Sequence, residues 1–501
     1  MQRIKSVFGV LGFLALGGGG YITTAQANDG ITPINPATGQ VLVPPAASAL
    51  AEDATAGKPN PKSVPYTLLR YNERYSYLAN PVANRDFFDP VKYISLDEND
   101  PERYLSFGGE VRERYERFHN QNFGVRGPAS NDFGLQRIMV HADLHLTSSF
   151  RIFAQGISGV QFGGANKAPV NQNPLDLQQA FADYTWGDNT PNGDRFTLRG
   201  GRFSMAYGSS RLVATRAATN IPLKFDGVQF IASSGGNSKV YGFLTRPVEE
   251  QRYRPDRANP EQLFGGLYIS KPVNSSLSID AYYLGYRDEG AQFVDASGTE
   301  IRHSVGGRFF GKLDNWDYDL EPVFQWGKIA DKDILAWTLA ADAGYTFKQH
   351  PWKPRLGVKF DVASGDRNQG DDKVGTFNPL FFKAGYFNDA SLLRPANITD
   401  LHFSWQAQPL ENLTVTLGHD IIWRFSRNDA VYATNGAISL PAQTSNSSRY
   451  VGSTIEAAAQ WKINRHLVAT ASYVHMYTSD YVESAGGADV DYAAAWVSYL
   501  W

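Results

Sequence analysis

Basic side chains at alternate positions are the residues here whose type and spacing best suit chemistry. Arg112 and Arg114 stand two apart between Glu110 and Glu116, and Arg137 recurs on the next stretch of the same pattern. A guanidinium pairs with a carboxylate through a planar fork. A row of them suits transient recognition of an anion rather than the making or breaking of bonds. His141, Asp143 and His145 carry metal-binding donors on one face, yet same-face neighbours in a strand lie roughly 7 Å apart, wide for sharing one ion. A plain polar wall is the simpler reading, and no metal is expected. The carboxylates of Gly365-Asp366-Arg367-Asn368-Gln369-Gly370-Asp371-Asp372 suit Ca²⁺ but lack EF-hand spacing. A solvated loop, or one folded inward as a constriction, accounts for them. There is no G-x-S-x-G elbow and no Walker loop, so neither a catalytic residue nor a cofactor is expected, and the chain does not read as an enzyme.

The elements that must position these charges have a period of two. Leu105, Phe107, Val111 and Tyr115 share one face, with Ser106, Glu110, Arg112, Arg114 and Glu116 on the other. Ile138, Val140, Ala142, Leu144 and Leu146 likewise oppose Arg137, His141, Asp143 and His145, and similar alternation continues through 318–326, 355–362 and 413–424. A soluble sandwich shares this alternation, so loop length decides. About 18 strands are predicted: 105–118, 133–146, 150–160, 177–187, 195–205, 224–233, 239–246, 262–270, 276–287, 300–311, 316–327, 334–347, 353–364, 399–408, 412–425, 449–461, 466–477 and 490–501. Short links (147–149, 234–238, 271–275, 312–315, 463–465) face long ones (119–132, 161–176, 206–223, 365–398, 427–448, 479–489). This is the asymmetry of periplasmic turns and extracellular loops in an outer-membrane barrel. The link between Lys328 and Asp333 is short where a long one is expected, which questions one strand boundary.

The last stretch supports closure. Ala493, Ala495, Val497, Tyr499 and Trp501 fall on one face and the chain ends on an aromatic residue, as in barrels whose final strand pairs with the first so that no backbone edge is left in hydrocarbon. Trp186, Trp316, Trp326, Trp352, Trp405, Trp423 and Trp461 lie at or near predicted strand ends, where indoles form interfacial girdles. At the other end Arg3 and Lys5 precede an apolar run from Val7 to Leu16 and then Ala25-Gln26-Ala27, a secretory signal peptide (1–27) whose apolar run falls short of the about 20 residues of a membrane-spanning helix. Residues 28–65, rich in Pro, Ala and Thr, read as a flexible periplasmic leader. Residues 66–104, with aromatic and charged clusters, read as an N-terminal cap or partial plug, and 105–501 as the barrel. Cys 0 excludes disulfides, and a net charge of -3 gives no reason to expect nucleic acid.

In Tyr104-Leu105-Ser106-Phe107-Gly108-Gly109-Glu110-Val111-Arg112-Glu113-Arg114-Tyr115-Glu116 the chain resembles the bacterial alginate export family of outer-membrane barrels. Further similarity lies in Gly201-Arg202, Tyr207-Gly208, Arg211-Leu212-Val213, Asn220, Phe225-Asp226-Gly227, Ser364-Gly365-Asp366, Thr376-Phe377-Asn378-Pro379-Leu380-Phe381 and Asp429-Ala430-Val431-Tyr432. The resemblance implies an 18-stranded monomeric barrel with an arginine-rich lumen that passes an anionic uronate polymer. Here the basic residues are balanced by Glu110, Glu116, Asp143, Asp183, Asp319, Glu321, Asp342, Asp361, Asp420 and Glu456.

The expectation is therefore an all-β chain, a transmembrane antiparallel β-barrel of the bacterial cell outer membrane. It would serve as a channel for passive export or diffusion of an anionic or hydroxylated saccharide, alginate-like polyuronate included. The alternatives are an uptake porin for small organic acids or sugars, an outer-membrane enzyme, and a docking barrel. The substrate path is assigned to Arg112, Arg114, Arg137, Arg199, Arg302, Arg308, Arg355, Lys359, Arg424, Glu110, Asp143 and Asp361. Expected partners are outer-membrane lipid, the saccharide or another small anionic solute, the barrel-assembly machinery and periplasmic export proteins.

Overall fold

A computed structural model describes residues 65–80, 86–125, 127–165, 167–188, 190, 193–235 and 237–501, with a backbone pairing of 34–35 to 40–41 before them. The signal peptide, and the leader apart from that pair and Pro65, lie outside the described residues.

Eighteen antiparallel strands close into one barrel. They are β1 (Tyr104–His119), β2 (Ser130–His145), β3 (Phe150–Gly163), β4 (Asn173–Gly187), β5 (Arg195–Phe203), β6 (Phe225–Ser233), β7 (Lys239–Glu249), β8 (Gln262–Asn274) and β9 (Leu277–Gln292). The second half comprises β10 (Ser297–Leu313), β11 (Trp316–Ile329), β12 (Lys332–Thr346), β13 (Arg355–Ala363), β14 (Ile398–Leu410), β15 (Leu413–Arg424), β16 (Tyr450–Lys462), β17 (Leu467–Thr478) and β18 (Val490–Leu500). All eighteen expected strands are present. The boundary questioned at Lys328–Asp333 stands: Ile329 pairs with Lys332 across a two-residue turn in which Ala330 takes a left-handed φ of 50°. One outer connection of this barrel is simply short.

The alternation sorts side chains as hydrocarbon and lumen require. Tyr115, Val140, Leu198, Leu356 and Val497 point outward and are exposed, while Arg112, His141 and Arg199 on the same strands are buried inside. Trp186, Trp316, Trp352 and Trp461 sit at the short-turn rim, and Trp326 and Trp423 near the long-loop rim. By the loop-length rule the first rim is periplasmic.

Closure joins β18 to β1, with Leu500 opposite Glu110 and Asp491 opposite His119. The terminal residue extends the ladder: Gly109 N–H donates to Trp501 O at 2.9 Å and Trp501 N–H to Gly109 O at 3.2 Å. The indole covers the outer face of Gly109, where a Cβ would meet it at 2.4 Å. Phe88, beside the short helix α1 (Asp89–Lys92), reaches this corner from the N-terminal segment, its ring 6.2 Å from Tyr499 and 6.5 Å from Trp501.

The largest core is inside the lumen. Residues 204–224 between β5 and β6 (loop L3) and 364–397 between β13 and β14 (loop L7) fold inward. They bring Leu212, Val213, Phe381, Phe382, Tyr386 and Leu393 against wall residues Phe225, Phe264, Tyr268 and Tyr282. The inward constriction weighed for the 365–372 stretch is built by this loop, chiefly by its residues after Val374.

Trp501→Asp places a charge at the interface and removes the cover over Gly109. The expected outcome is loss of most heat-modifiable, folded barrel from the outer-membrane fraction on semi-native gels, with the chain left soluble or degraded; wild-type levels would contradict this closure.

Candidate functional site

The charged lumen is the candidate site, and its centre is the first hairpin. Arg112 on β1 lies directly opposite Arg137 on β2, and Arg114 one inward position further toward the outer rim. The three guanidinium groups converge on the tip of L3. Arg112 donates to Ala217 O (3.0 Å) and Thr219 O (2.8 Å), Arg137 to the same two oxygens (2.9 and 3.0 Å), and Arg114 to Ala218 O (3.2 Å). Three successive backbone carbonyls thus occupy a basic strip with the chemistry to take an anion. Glu110 holds Arg137 at 2.7 Å, Glu116 holds Arg114 at 2.7 Å, and Arg114 also donates to Tyr492 Oη at 2.6 Å and stacks on Trp496.

The remaining expected path residues all face the interior but do not form one continuous strip. Arg199 forks onto Asp183 at 2.8 and 2.9 Å and lies over the rings of Phe181 and Tyr71. Arg308 pairs with Asp319 at 2.5 Å, and Arg355 bridges Asp317 (2.6 Å) and Asp342 (2.8 Å). Arg302, fully buried, meets Glu300 and Gln325 and donates to Thr376 O of L7. Lys359 lies 3.3 Å from Asp361. Arg424 stacks on Tyr481 and donates to Ala442 O and Ser448 O, so it orders the loop between β15 and β16 near the outer rim. Removed from bulk water, each charge is matched by a partner, because a lone buried charge is costly.

Sequence reasoning missed several residues of this interior. Arg211, on L3, reaches Glu321 and Asp361 at 3.1 Å each and Tyr386 Oη at 2.8 Å, tying L3 to the far wall and to L7. The two loops also share a short parallel bridge: Ala214 N–H to Phe381 O, Phe381 N–H to Leu212 O, and Lys383 N–H to Ser210 O. Apolar content was the available signal, since Leu212-Val213-Ala214, Phe381-Phe382 and Leu392-Leu393 would not sit in a solvated outer loop.

Asp143 and its two histidines are spoken for. Arg151, another residue missed, forks onto Asp143 at 2.6 and 2.9 Å. His145 stacks on Tyr104 at 4.2 Å, and His141 stacks on Phe153 at 5.3 Å. Among the described residues no group of His, Asp and Glu is arranged to hold a metal ion.

A family model described as alginate export matches residues 103–496. No curated protein matches. Solved structures with the same fold include Pseudomonas aeruginosa OccK8 (OprE), 11% identical, TM-score 0.53, covering 79% of this chain and 98% of that one. Acinetobacter baumannii OccAB2 and a BenF-like porin from Pseudomonas fluorescens Pf-5 are each 10% identical with TM-score 0.52 over 79% of this chain and 98% of theirs. At these identities the likeness is one of fold.

The segment before β1 occupies the periplasmic mouth. Arg70 donates to Gly109 O and Trp501 O at the closing seam, Tyr71 Oη reaches Ser204 O at the base of L3, and Asp86 pairs with Arg465 and His466 of the turn before β17. Lys92, on α1, is buried beside His141, and among the described residues its ammonium has no hydrogen-bond acceptor. Burial, and after it the nearby Arg70 guanidinium, push its pKa down to about 7. Because the docked value lies below the free one, docking of the segment is strongest above the free lysine pKa and is lost progressively as pH falls toward about 7. Protection of the Asn72 and Leu78 amides, corrected for intrinsic exchange rates, should therefore fall about tenfold from pH 8.5 to pH 7. Lys92→Met should raise that protection and flatten its pH dependence; an unchanged profile would remove Lys92 from control of the segment's docking.

Proposed function

The chain belongs to the alginate export family and forms a channel barrel of the bacterial outer membrane, and from that premise we propose that it passes an anionic or hydroxylated saccharide by diffusion, alginate-like polyuronates included. The observation that carries this reading is the convergence of Arg112, Arg114 and Arg137 on three carbonyls of L3. A guanidinium strip that holds several backbone oxygens has the donors to hold carboxylates in their place.

Energetics favour a polymer over a monomer. A hydrogen bond to a charged group contributes about 1.5–3 kcal/mol, so the five that hold the L3 tip outweigh what one carboxylate offers in exchange. Linked carboxylates act at high effective concentration once the first is engaged, and displace the tip stepwise. Acidic residues at the strip, with pore water once the loop has moved, keep each contact weak enough to release. In this reading the segment 66–104 is a partial plug at the periplasmic mouth, displaced by cargo or by a periplasmic export partner, and L3 with L7 is the constriction. Uptake of small organic acids would use the same charges without any dependence on chain length.

In planar bilayers, block by uronate oligomers should strengthen with chain length, and monomeric uronate should leave the current unchanged. The triple change Arg112→Glu, Arg114→Glu and Arg137→Glu should shift the reversal potential toward cation selectivity, raise conductance by freeing L3, and abolish oligomer block, with heat-modifiability kept. A folded variant with the parent's selectivity and block would take these arginines out of the conduction path.

A further inference from the structure

On the outside of the barrel, facing lipid, two arginines stand where the apolar surface of β7 to β9 ends. Arg246 on β7 falls one position past the pair Thr245–Phe264, level with Leu263 on β8, and Leu263 is paired with Arg287 on β9. Both point outward. Their neighbours Thr245 and Tyr286 are buried inside, whereas Leu244, Leu263 and Tyr283, which share their face, are exposed. The two backbones flank Leu263 at about 10 Å from each other, close enough for two arginine side chains to share one headgroup. Strands β7 to β11 and the loop joining β7 to β8 (L4, residues 250–261) lie wholly within the described residues.

Neither guanidinium is committed to a buried partner. Arg246 makes no ion pair among the described residues: its Nη1 donates to the carbonyls of Asn259 (3.3 Å), Pro260 and Gln262 (3.2 Å), and Nε and Nη2 donate to nothing there. Arg287 pairs with Glu289 at 2.7 Å, but both side chains are 44% exposed, and an exposed pair is weak. The carboxylates of this sector lie on the solvent side of the arginines. Glu289 is two residues beyond Arg287, Glu261 two beyond Leu263 and Glu249 three beyond Arg246. Asp226, opposite Arg246 on β6, is already held by Arg202 at 2.7 and 2.9 Å. The charges left available at the edge of the hydrocarbon are therefore positive.

Beneath the arginines the wall is notched and carries a polar group. Gly265 on β8 and Gly285 on β9 are paired, one same-face step of about 7 Å below Leu263 and Arg287. Gly285 is in turn paired with His303 on β10. Two adjacent outward positions without side chains leave a hollow between Leu244 and His303, and the Tyr283 hydroxyl lies at its lower edge. That hydroxyl is 2.6 Å from His303 Nδ1, and Trp326 stacks on the same imidazole at 5.6 Å. The other ring nitrogen, Nε2, has no hydrogen-bond partner among the described residues. An imidazole on a lipid-facing wall is costly until it finds one. A lipid with a polar linkage just below its headgroup supplies that partner.

We propose that this notch binds one phosphorylated glycolipid of the outer leaflet. Arg246 and Arg287 take a phosphate, for which the guanidinium fork is suited. His303 Nε2 takes the amide, ester or hydroxyl that joins headgroup to chain, and an acyl chain lies over Gly265 and Gly285. By the loop-length rule this rim faces the outside of the cell, where the leaflet's lipid carries its phosphates on a sugar. Charge selects this occupant over a second copy of the chain, because the same face turned on itself sets arginine against arginine.

The test is native mass spectrometry of the folded full-length protein released from a zwitterionic detergent, with bis-phosphorylated lipid A as the probe. The parent should retain one lipid A. Arg246→Gln combined with Arg287→Gln should lower retention about fivefold or more with heat-modifiability kept, and the parent should retain lipid A stripped of its phosphates about fivefold less well. His303→Leu should lower retention about twofold or more. Equal retention by parent and double variant, equal retention of the phosphate-free lipid, displacement by equimolar phosphatidylglycerol, or a second copy of the chain in place of lipid overturns the site. The Arg112/Arg114/Arg137 triple variant should hold the lipid as the parent does. Loss of lipid there would place it in the lumen and overturn the site as well, whereas failure of the channel reading would be seen in the bilayer recordings alone.

Discussion

Every backbone amide in hydrocarbon must find a carbonyl within the protein, and the rest of this structure follows from that requirement. A helix would meet it locally, but no helix among the described residues is long and apolar enough to cross a membrane. The chain meets it with a sheet that has no edge, sealed where Gly109 and Trp501 exchange two hydrogen bonds. Arg70 donates to the carbonyls of both seam residues. The seam is therefore also an anchor of the segment before β1.

A closed barrel of eighteen strands encloses more volume than its wall side chains fill, and here two loops from the outer rim occupy it. Their entry replaces water as the solvent of the inner wall. Charges that would be hydrated in an open pore must instead pair, which is why Arg199 meets Asp183, Arg308 meets Asp319 and Arg302 meets Glu300. The near equality of 47 basic and 50 acidic residues is in keeping with this interior, where charge pairs on the wall stand beside the apolar core that L3 and L7 build. Arg112 and Arg424 differ from these, since their hydrogen bonds among the described residues go to loop carbonyls.

A carboxylate carries a full charge, whereas the backbone carbonyls that meet Arg112 carry only a partial charge and belong to a loop. Within the strip Arg137 and Arg114 are ion-paired with Glu110 and Glu116, while Arg112 is met by loop carbonyls. Below it Arg70 and Tyr71 tie the segment before β1 to the closing seam and to the base of L3.

Much of this was legible in the amino-acid order, for reasons that differ from element to element. The period of two and the alternation of link lengths determined the strand count, because hydrocarbon outside and polar groups inside act on every strand residue. Which face Arg112, Arg137 and Arg199 present followed from the same rule, and the motifs at 104–116 and 376–381 carried the family. The positions of L3, L7 and the segment before β1 were decided only in three dimensions. A loop's destination depends on groups far away in the chain, as when Arg211 of L3 finds Asp361 on β13 and Tyr386 on L7, and local sequence pattern carries no record of them. The sequence by itself determined which side chains face the lumen; only the tertiary structure decided what they meet there, because partners across a barrel are set by closure and not by neighbouring residues.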